Sequence, residues 1–264
     1  MDAKALFEAG QLNEAIKVIS DEIKKKPMDV NKRGFLCELL LIAREWDRAD
    51  KQLDFIAHQN PDSVMTVASW RQLIRASMAR EEFFTQGRAP DVIEEPDELV
   101  QLYLKASLLM REGNKTEANT LLEQAEEMRP KLHGTINGEA FDDLRDLDDT
   151  CPGVFEVLTS NGKYYWIPAK RVVCMEFHPP QSPIDLVLRR VSIQTNQDGP
   201  EGDVYMPAIY FPINEEDREN ILLGRSTDWM GEEGEPVLGT GLRMFYANDE
   251  ATTIMQIQEI EFEQ

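Results

Sequence analysis

The pair of side chains in this sequence that most resembles a catalytic unit is Cys174 and His178, four residues apart. A thiol activated by a histidine needs the two groups within hydrogen-bond distance. The pair lies in and just after a β-rich run, 172–177, and four residues of an extended strand span more than about 12 Å. The spacing therefore favours a buried thiol beside a loop histidine. An enzyme with its site in the C-terminal sheet remains the less favoured hypothesis.

Other segments that could bind a metal ion or a phosphate lack the residues that such binding requires. The acidic run DDLRDLDDT (142–150) has neither the central glycine nor the final glutamate of a calcium-binding EF-hand loop. GTGLRM (239–244) is too short for a phosphate-binding loop and has no GK[ST]. The three histidines lie in three separate segments, and no CxxC pair is present. We expect no catalytic residue, no metal and no cofactor.

An aromatic run, Tyr164-Tyr165-Trp166, is the most distinctive feature of the C-terminal half. Successive residues of a strand point to opposite faces of a sheet, so one of these rings faces outward unless another element covers it. Large aromatic residues are usually buried, which favours packing against the helical part of the chain. If Trp166 is exposed, we expect it to be an anchor for a partner protein.

The chain is acidic, and its acidity is uneven. Its 264 residues carry a net charge of −21, with about −5 in residues 1–134 and about −16 in residues 135–264. A hydrophobic fraction of 42% is enough for a buried core. An acidic surface repels phosphate backbones and anionic membranes, so we expect no nucleic acid as a partner. The charge confers solubility or meets a basic partner protein.

The sequence indicates a cytoplasmic protein. No stretch approaches the roughly 18 apolar residues that a membrane span requires, so we expect no membrane insertion. The N-terminus begins as an amphipathic helix and has no apolar block followed by a small-residue cleavage site. Three scattered cysteines are too few for a disulfide framework.

An internal repeat organises the N-terminal half. Ala15 precedes Pro27 by twelve residues, and the same spacing separates Ala49 from Pro61. Ala118 and Pro130 form a third such pair, and the steps between the alanines are 34 and 69 residues. Tetratricopeptide hairpins repeat about every 34 residues. Small alanines allow the paired helices to approach closely, while Gly10 and Gly113 permit the turns and the prolines end the second helices.

Arrays of such hairpins leave a concave face, built from the first helix of each pair, that suits a peptide or a helix. When the repeats are aligned on their prolines, this predicted groove contains six residues. They are Asn31, Glu38, Met65, Gln72, Arg75 and Arg111.

The third repeat departs from the pattern. Residues 64–86 have the composition of one helix, but a loop, GRAPDVIEEP, replaces the helix that should follow. Helix resumes after Asp97, a suitable N-cap residue. We therefore expect about seven helices before Pro130.

After Pro130 the periodicity changes to that of strands. Val154 to Thr159 and Tyr164 to Ile167 flank Asn161-Gly162, a strong hairpin signal. We predict an α+β protein with tetratricopeptide-like helical hairpins at 1–130, an acidic connector with room for one short helix at 131–153, and a small, mainly antiparallel β-rich domain at 154–264. Further strands are expected at 172–177, 184–194, 203–211, 242–247 and 252–262.

Several segments together resemble one family. They are GQLNEAI, EWDRADKQLD, WRQLIRASMAREEFFTQGRAPDVIEEP and GTINGEAFDDLRDLDDTCPGVFEVLTSNGKYYWIP. The last is the most specific, and the chain resembles the ImpE/SciE (TagJ) family of type VI secretion accessory proteins along nearly its whole length. Two positions depart from the family pattern. The loop lacks a glycine before Glu95-Pro96, and Ala169 follows YYWIP where an aromatic residue is usual.

The resemblance implies a cytoplasmic accessory protein with no catalytic motif. It also implies binding to the N-terminal helix of the small sheath subunit (TssB/VipA), close to the ClpV ATPase. We therefore expect a non-catalytic adaptor that binds a sheath subunit of a type VI secretion system through its helical repeats. The alternative is a general tetratricopeptide scaffold with another cytoplasmic partner.

Overall fold

The computed structural model of the chain describes residues 1–196, 201–213 and 215–263. Residues 197–200, 214 and 264, which belong to the predicted β-rich domain, lie outside this part. Seven α-helices occupy the described N-terminal half, as predicted, and a short eighth lies in the C-terminal half. They are α1 (Ala3–Glu8), α2 (Leu12–Lys25), α3 (Val30–Ile42), α4 (Trp46–Gln59), α5 (Val64–Gln86), α6 (Glu98–Arg111), α7 (Lys115–Met128) and α8 (Arg218–Leu222).

The helices pack in sequential pairs, α1 with α2, α3 with α4 and α6 with α7. The three repeat alanines, Ala15, Ala49 and Ala118, are fully buried, consistent with close approach between paired helices. Gly10 and Gly113 have φ angles of 85° and 81°, a left-handed conformation that glycine adopts without steric cost. The repeat markers therefore have the structural roles that their spacing predicts.

The predicted N-cap at Asp97 is confirmed in detail. The side chain of Asp97 accepts a hydrogen bond from the backbone N–H of Val100 at 2.9 Å and so caps α6. Helix α3 is buried on nearly all sides from Leu36 to Ile42, because it packs between α2 and α4.

Strands dominate the described residues after Gly134. They are β1 (Gly134–Ile136), β2 (Glu139–Phe141), β3 (Leu144–Asp146), β4 (Val154–Thr159), β5 (Tyr164–Pro168), β6 (Val172–Phe177), β7 (Leu188–Thr195), β8 (Gly202–Pro207), β9 (Thr227–Met230), β10 (Leu238–Gly241), β11 (Met244–Ala247), β12 (Glu250–Thr253) and β13 (Glu259–Phe262).

The main sheet has eight strands in the order β2-β1-β13-β6-β7-β8-β4-β5. Every pairing in it is antiparallel, with two smaller sheets, β12-β11-β3 and β10-β9, beside it. The α+β class is confirmed. Strand β5 ends at Pro168 and lies at an edge of the sheet, where the missing proline N–H breaks no ladder.

The expectation of a short helix in the connector 131–153 is wrong. This segment forms β1, β2 and β3, and β1 pairs with β13 at the other end of the chain. Asn137 and Gly138, both with positive φ, make the tight turn between β1 and β2. The predicted strand 252–262 is divided into β12 and β13, and the predicted start at 184 falls in a 3-10 helix, Pro183–Leu186.

The two halves share hydrophobic cores. One core combines residues of α1 to α5 with Ile184, Val187, Ile209 and residues 221–223 of the C-terminal half. Another combines α5, α6 and α7 with β4 and β5. The C-terminal half therefore packs along the helical array, and the division at residue 130 remains a prediction about sequence organisation.

Candidate functional site

A buried ion network joins the helices to the sheet. Its centre is Glu156 of β4, which lies in the middle of a fully buried strand. Arg80 of α5 donates from Nε to Glu156 Oε1 at 2.9 Å and from Nη2 to Oε2 at 3.1 Å. The hydroxyl of Tyr164 also donates to Glu156 Oε1, and the indole N–H of Trp166 donates to that hydroxyl at 2.6 Å. Together these contacts connect α5 to β4 and β5.

A second arginine extends the network into the smaller sheets. Arg243 donates to Glu156 and, through Nη1, to Asp146 Oδ2 at 2.9 Å. Asp146 also accepts from the hydroxyl of Tyr210 at 2.7 Å. Asp148 beside it accepts hydrogen bonds from the backbone N–H groups of Thr150 and Gly239. The network thus unites α5, β4, β3 and the chain around β10 and β11.

Burial and charge act in opposite directions on these carboxyl groups. Burial alone would raise the pKa of Glu156, but the guanidinium groups of Arg80 and Arg243 lower it to about 2. Burial raises the pKa of Asp146, and burial together with Asp146 raises the pKa of Asp148 to about 7. Because Arg80 and Arg243 already pair with these carboxylates, the network acts as a structural connection. No sequence signal indicated it, since charged residues on a helix usually face solvent.

Trp166 is not an exposed anchor. It is 1% exposed, and its ring packs edge-on against Phe83 of α5 at a centroid distance of 4.9 Å. Tyr164 lies on the same face of β5 and is buried with it, whereas Tyr165 points the other way and is partly exposed. The condition under which we expected Trp166 to anchor a partner protein, exposure of its ring, is not met. The indole packs against the helices of its own chain, as the favoured alternative predicts.

The loop that replaces the missing helix covers the free edge of β5. The backbone N–H of Asp91 donates to the carbonyl of Tyr164 at 2.8 Å, and the N–H of Trp166 donates to the carbonyl of Asp91 at 3.1 Å. Asp91 also forms an ion pair with Lys163, and Asp97 forms one with Lys170. The third repeat is irregular because its loop completes the sheet edge.

The six predicted groove residues do not share one open face. Glu38 accepts a hydrogen bond from the backbone N–H of Ile184, and Gln72 lies against the β4–β5 turn at Gly162. Arg111 donates to the carbonyl of Phe83 at 3.2 Å. The other three, Asn31, Met65 and Arg75, are exposed. Two of the six residues, Glu38 and Gln72, thus contact the C-terminal half of their own chain.

An open groove remains between α4 and the first turns of α5. Its cavity is about 210 Å³, and Val64 and Met65 at the start of α5 are 54% and 78% exposed. We call this feature the α4–α5 groove. Its lining residues are Ala57, Val64, Val67, Ala68, Arg71, Gln72 and Arg75.

Cys174 and His178 have separate partners. The thiol of Cys174 donates to Gln194 Oε1 at 3.6 Å, and the ring of His178 contacts the hydroxyl of Ser192 at 2.8 Å. Partial burial and the nearby carboxylates of Glu261, Glu259 and Glu176 raise the pKa of Cys174. This environment disfavours the thiolate that a nucleophile requires.

The described residues offer neither a membrane-spanning helix nor a clustered metal site. No helix there has the length and apolar composition to cross a membrane. Within the same part of the chain, no group of three or more histidine, cysteine or acidic side chains is arranged to hold a metal ion.

The fold defines an α+β protein in which an array of helical hairpins packs against the antiparallel sheet of the same chain. Residues 138–261 match the family model described as ImpE protein. Over 263 residues the chain is 29% identical to the type VI secretion system accessory component TagJ of Pseudomonas aeruginosa, covering 100% of this chain and 92% of that protein. The resemblance to the ImpE/SciE (TagJ) family that the sequence indicates is confirmed by these two matches.

A solved structure has the same fold. The crystal structure of protein VPA1032 from Vibrio parahaemolyticus superimposes with a TM-score of 0.92 at 28% sequence identity. The match covers 99% of this chain and 97% of that one. The packing of the sheet along the helices is therefore shared with a relative.

Proposed function

We propose that this chain is a non-catalytic, cytoplasmic accessory protein of a type VI secretion system that binds a protein of the apparatus. Its similarity to TagJ over the whole chain supports an accessory role. The lack of a paired nucleophile and base at Cys174 and His178 favours binding over catalysis.

The observation that carries the proposal is the α4–α5 groove. Exposed apolar side chains at the mouth of a cavity are typical of docking sites. Val64 lines the groove and is exposed, and Met65, the next residue of α5, is an exposed methionine, a residue that adapts readily to different apolar surfaces. Part of the predicted concave face is not available in this way, because Glu38 accepts a hydrogen bond from the C-terminal half.

The occupant we propose is the N-terminal amphipathic helix of the small sheath subunit (TssB/VipA-like). An amphipathic helix binds by laying its apolar face into a groove. Arg75 is exposed and donates to Gln72, so its charge is placed at the groove wall to meet an acidic side chain of that helix. Arg71, by contrast, already pairs with Asp50 and Asp54.

Titration calorimetry with a peptide from the N-terminus of the sheath subunit tests the proposal. We expect Met65→Glu and Arg75→Glu to raise the Kd about five- to thirtyfold, since losing one contact with the bound helix costs ~1–2 kcal/mol. Both residues are exposed, so the melting temperature should not change. Met128→Glu, which alters another exposed methionine on α7, is the control and should bind as the wild type does.

No binding heat with correctly folded wild-type protein would contradict the sheath-adaptor proposal. Pull-down of another protein from the native cytoplasm, without sheath subunits, would favour the general scaffold instead. Loss of that pull-down with Met65→Glu would then assign the same groove to the other partner.

A further inference from the structure

Arg44 stands where two other hairpins have glycine. It precedes the repeat alanine Ala49 by five residues, as Gly10 precedes Ala15 and Gly113 precedes Ala118. The backbone is in the left-handed conformation at all three positions, and Arg44 has a φ of 60°. This conformation costs a residue with a Cβ atom about 1–2 kcal/mol, a cost that glycine avoids. An arginine held here points to a role for its side chain.

The side chain of Arg44 reaches a cavity between the helices and the sheet. The cavity has a volume of about 50 Å³, and Arg44, Ser77 and Arg80 are among its lining residues. The guanidinium carbon of Arg44 lies 5.3 Å from the centre of the Phe211 ring. Arg44 as a whole is only half-buried, so part of the residue contacts solvent.

Donors at this cavity lack acceptors. The Arg44 side chain makes no hydrogen bond or ion pair to any described residue. The hydroxyl of Ser77, a residue 8% exposed, is buried without a partner in the same part of the structure. Buried polar groups without partners are rare in folded proteins and indicate a missing ligand or water.

Two carboxylates belong to this region, Glu81 in the lining of the cavity and Glu156 near Arg44, and both are already engaged. Glu81 accepts from the indole N–H of Trp46 at 3.0 Å, and Glu156 accepts from Arg80 and Arg243. Burial, and then the positive charge of Arg80, lower the pKa of Arg44 to about 9. Burial and the charge of Arg80 both disfavour the charged form of Arg44, and a bound anion beside the guanidinium would favour it.

We propose that this cavity binds a small oxyanion, a phosphate or carboxylate group, between the guanidinium of Arg44 and the hydroxyl of Ser77. Arginine and serine donors are well suited to such oxygens. The cavity has room for about three to four water-sized groups, which is the size of a phosphate or a carboxylate. The proposal does not depend on the sheath partner, because the cavity is separate from the α4–α5 groove.

Thermal unfolding with added anions tests the site. Inorganic phosphate and acetate are titrated separately, with chloride added to keep the ionic strength constant. An anion at ten times its Kd multiplies the folded-to-unfolded ratio about elevenfold, which raises the Tm of a chain of this size by roughly 3–5 °C. A response to phosphate assigns a phosphate ligand, and a response to acetate alone assigns a carboxylate.

Arg44→Gly is the decisive variant, because glycine accepts the left-handed backbone and should fold well. It should lose the anion-dependent rise, and Ser77→Ala should reduce it. Arg48→Gln removes a positive charge from an exposed site on α4 and should respond as the wild type does. The proposal is overturned if neither anion stabilises the wild type more than chloride does, or if Arg44→Gly responds equally.

Discussion

Arg80 of α5 and Glu156 of β4 form a bidentate ion pair, with distances of 2.9 and 3.1 Å, across the boundary between helices and sheet. The partners are 76 residues apart in sequence, and both are buried. A buried pair of this kind is sensitive to the loss of one partner, because the other is left as an uncompensated charge. The connection between the two halves of the protein therefore depends on Glu156.

Replacing Glu156 by Gln should destabilise the protein by about 3–5 kcal/mol, since Arg80 and Arg243 would both lose their buried counter-ion. Urea unfolding followed by circular dichroism measures the change. Glu82→Gln, which breaks the exposed pair with Arg88, is the matched control and should cost less than ~1 kcal/mol. Equal effects of the two variants would contradict the assigned role of the network.

The contribution of Glu156 should depend on pH in a defined direction. Its pKa is lowered from 4.5 to about 2 in the folded state. A lowered pKa gives stability that is present above pH 4.5 and is lost as the pH falls through about 2. The difference in unfolding free energy between wild type and Glu156→Gln should therefore shrink between pH 5 and pH 2. A difference that stays constant over this range would contradict the assignment.

Trp166→Ala should cost about 3–5 kcal/mol, because it opens a cavity where the indole packs on Phe83 and removes a donor to Tyr164. Trp229→Ala is the comparison, since Trp229 is 38% exposed, and its loss should matter less. Denaturant unfolding of both variants provides the measurement. A small effect at Trp166 would mean that the indole is not part of a packed interface.

The Cys174 thiol should react with a disulfide probe no faster than free cysteine at neutral pH. Its raised pKa keeps the thiol protonated, and the surrounding carboxylates repel anionic reagents. Cys37 and Cys151 are buried and should react only after unfolding. Cys174→Ser identifies the signal by removing it. Labelling faster than free cysteine would instead support an activated nucleophile.

Much of the fold could be predicted from local sequence patterns. The spacing of Ala15, Ala49 and Ala118 predicted the paired helices, and Asp97 predicted the start of α6, because caps and close helix contacts depend on neighbouring residues. Asn161-Gly162 predicted the β4–β5 hairpin for the same reason. Asn137-Gly138 carried the same signal for β1 and β2, but the acidic residues around it favoured a connector.

The candidate site was harder to predict from the sequence than the fold. Gln72 and Arg75 line the α4–α5 groove and Met65 is exposed at the start of α5, while their role in binding a partner stays a prediction. Glu38, predicted to lie in the groove, contacts the C-terminal half, and Trp166 is buried, as the packing alternative predicts. The repeat pattern specifies which side of a helix is apolar, but it does not specify whether a partner or the same chain buries it.

By itself the sequence determined the helical hairpins, their order, the change to strands after Pro130 and the family resemblance, because these depend on residue types at short spacing. Only the tertiary structure decided that the C-terminal half packs along the helical array, that Glu156 pairs with Arg80 and Arg243, and that Arg44 reaches a cavity. These contacts join residues far apart in the chain. Their energy comes from shared burial and the desolvation of charge, which no local pattern encodes.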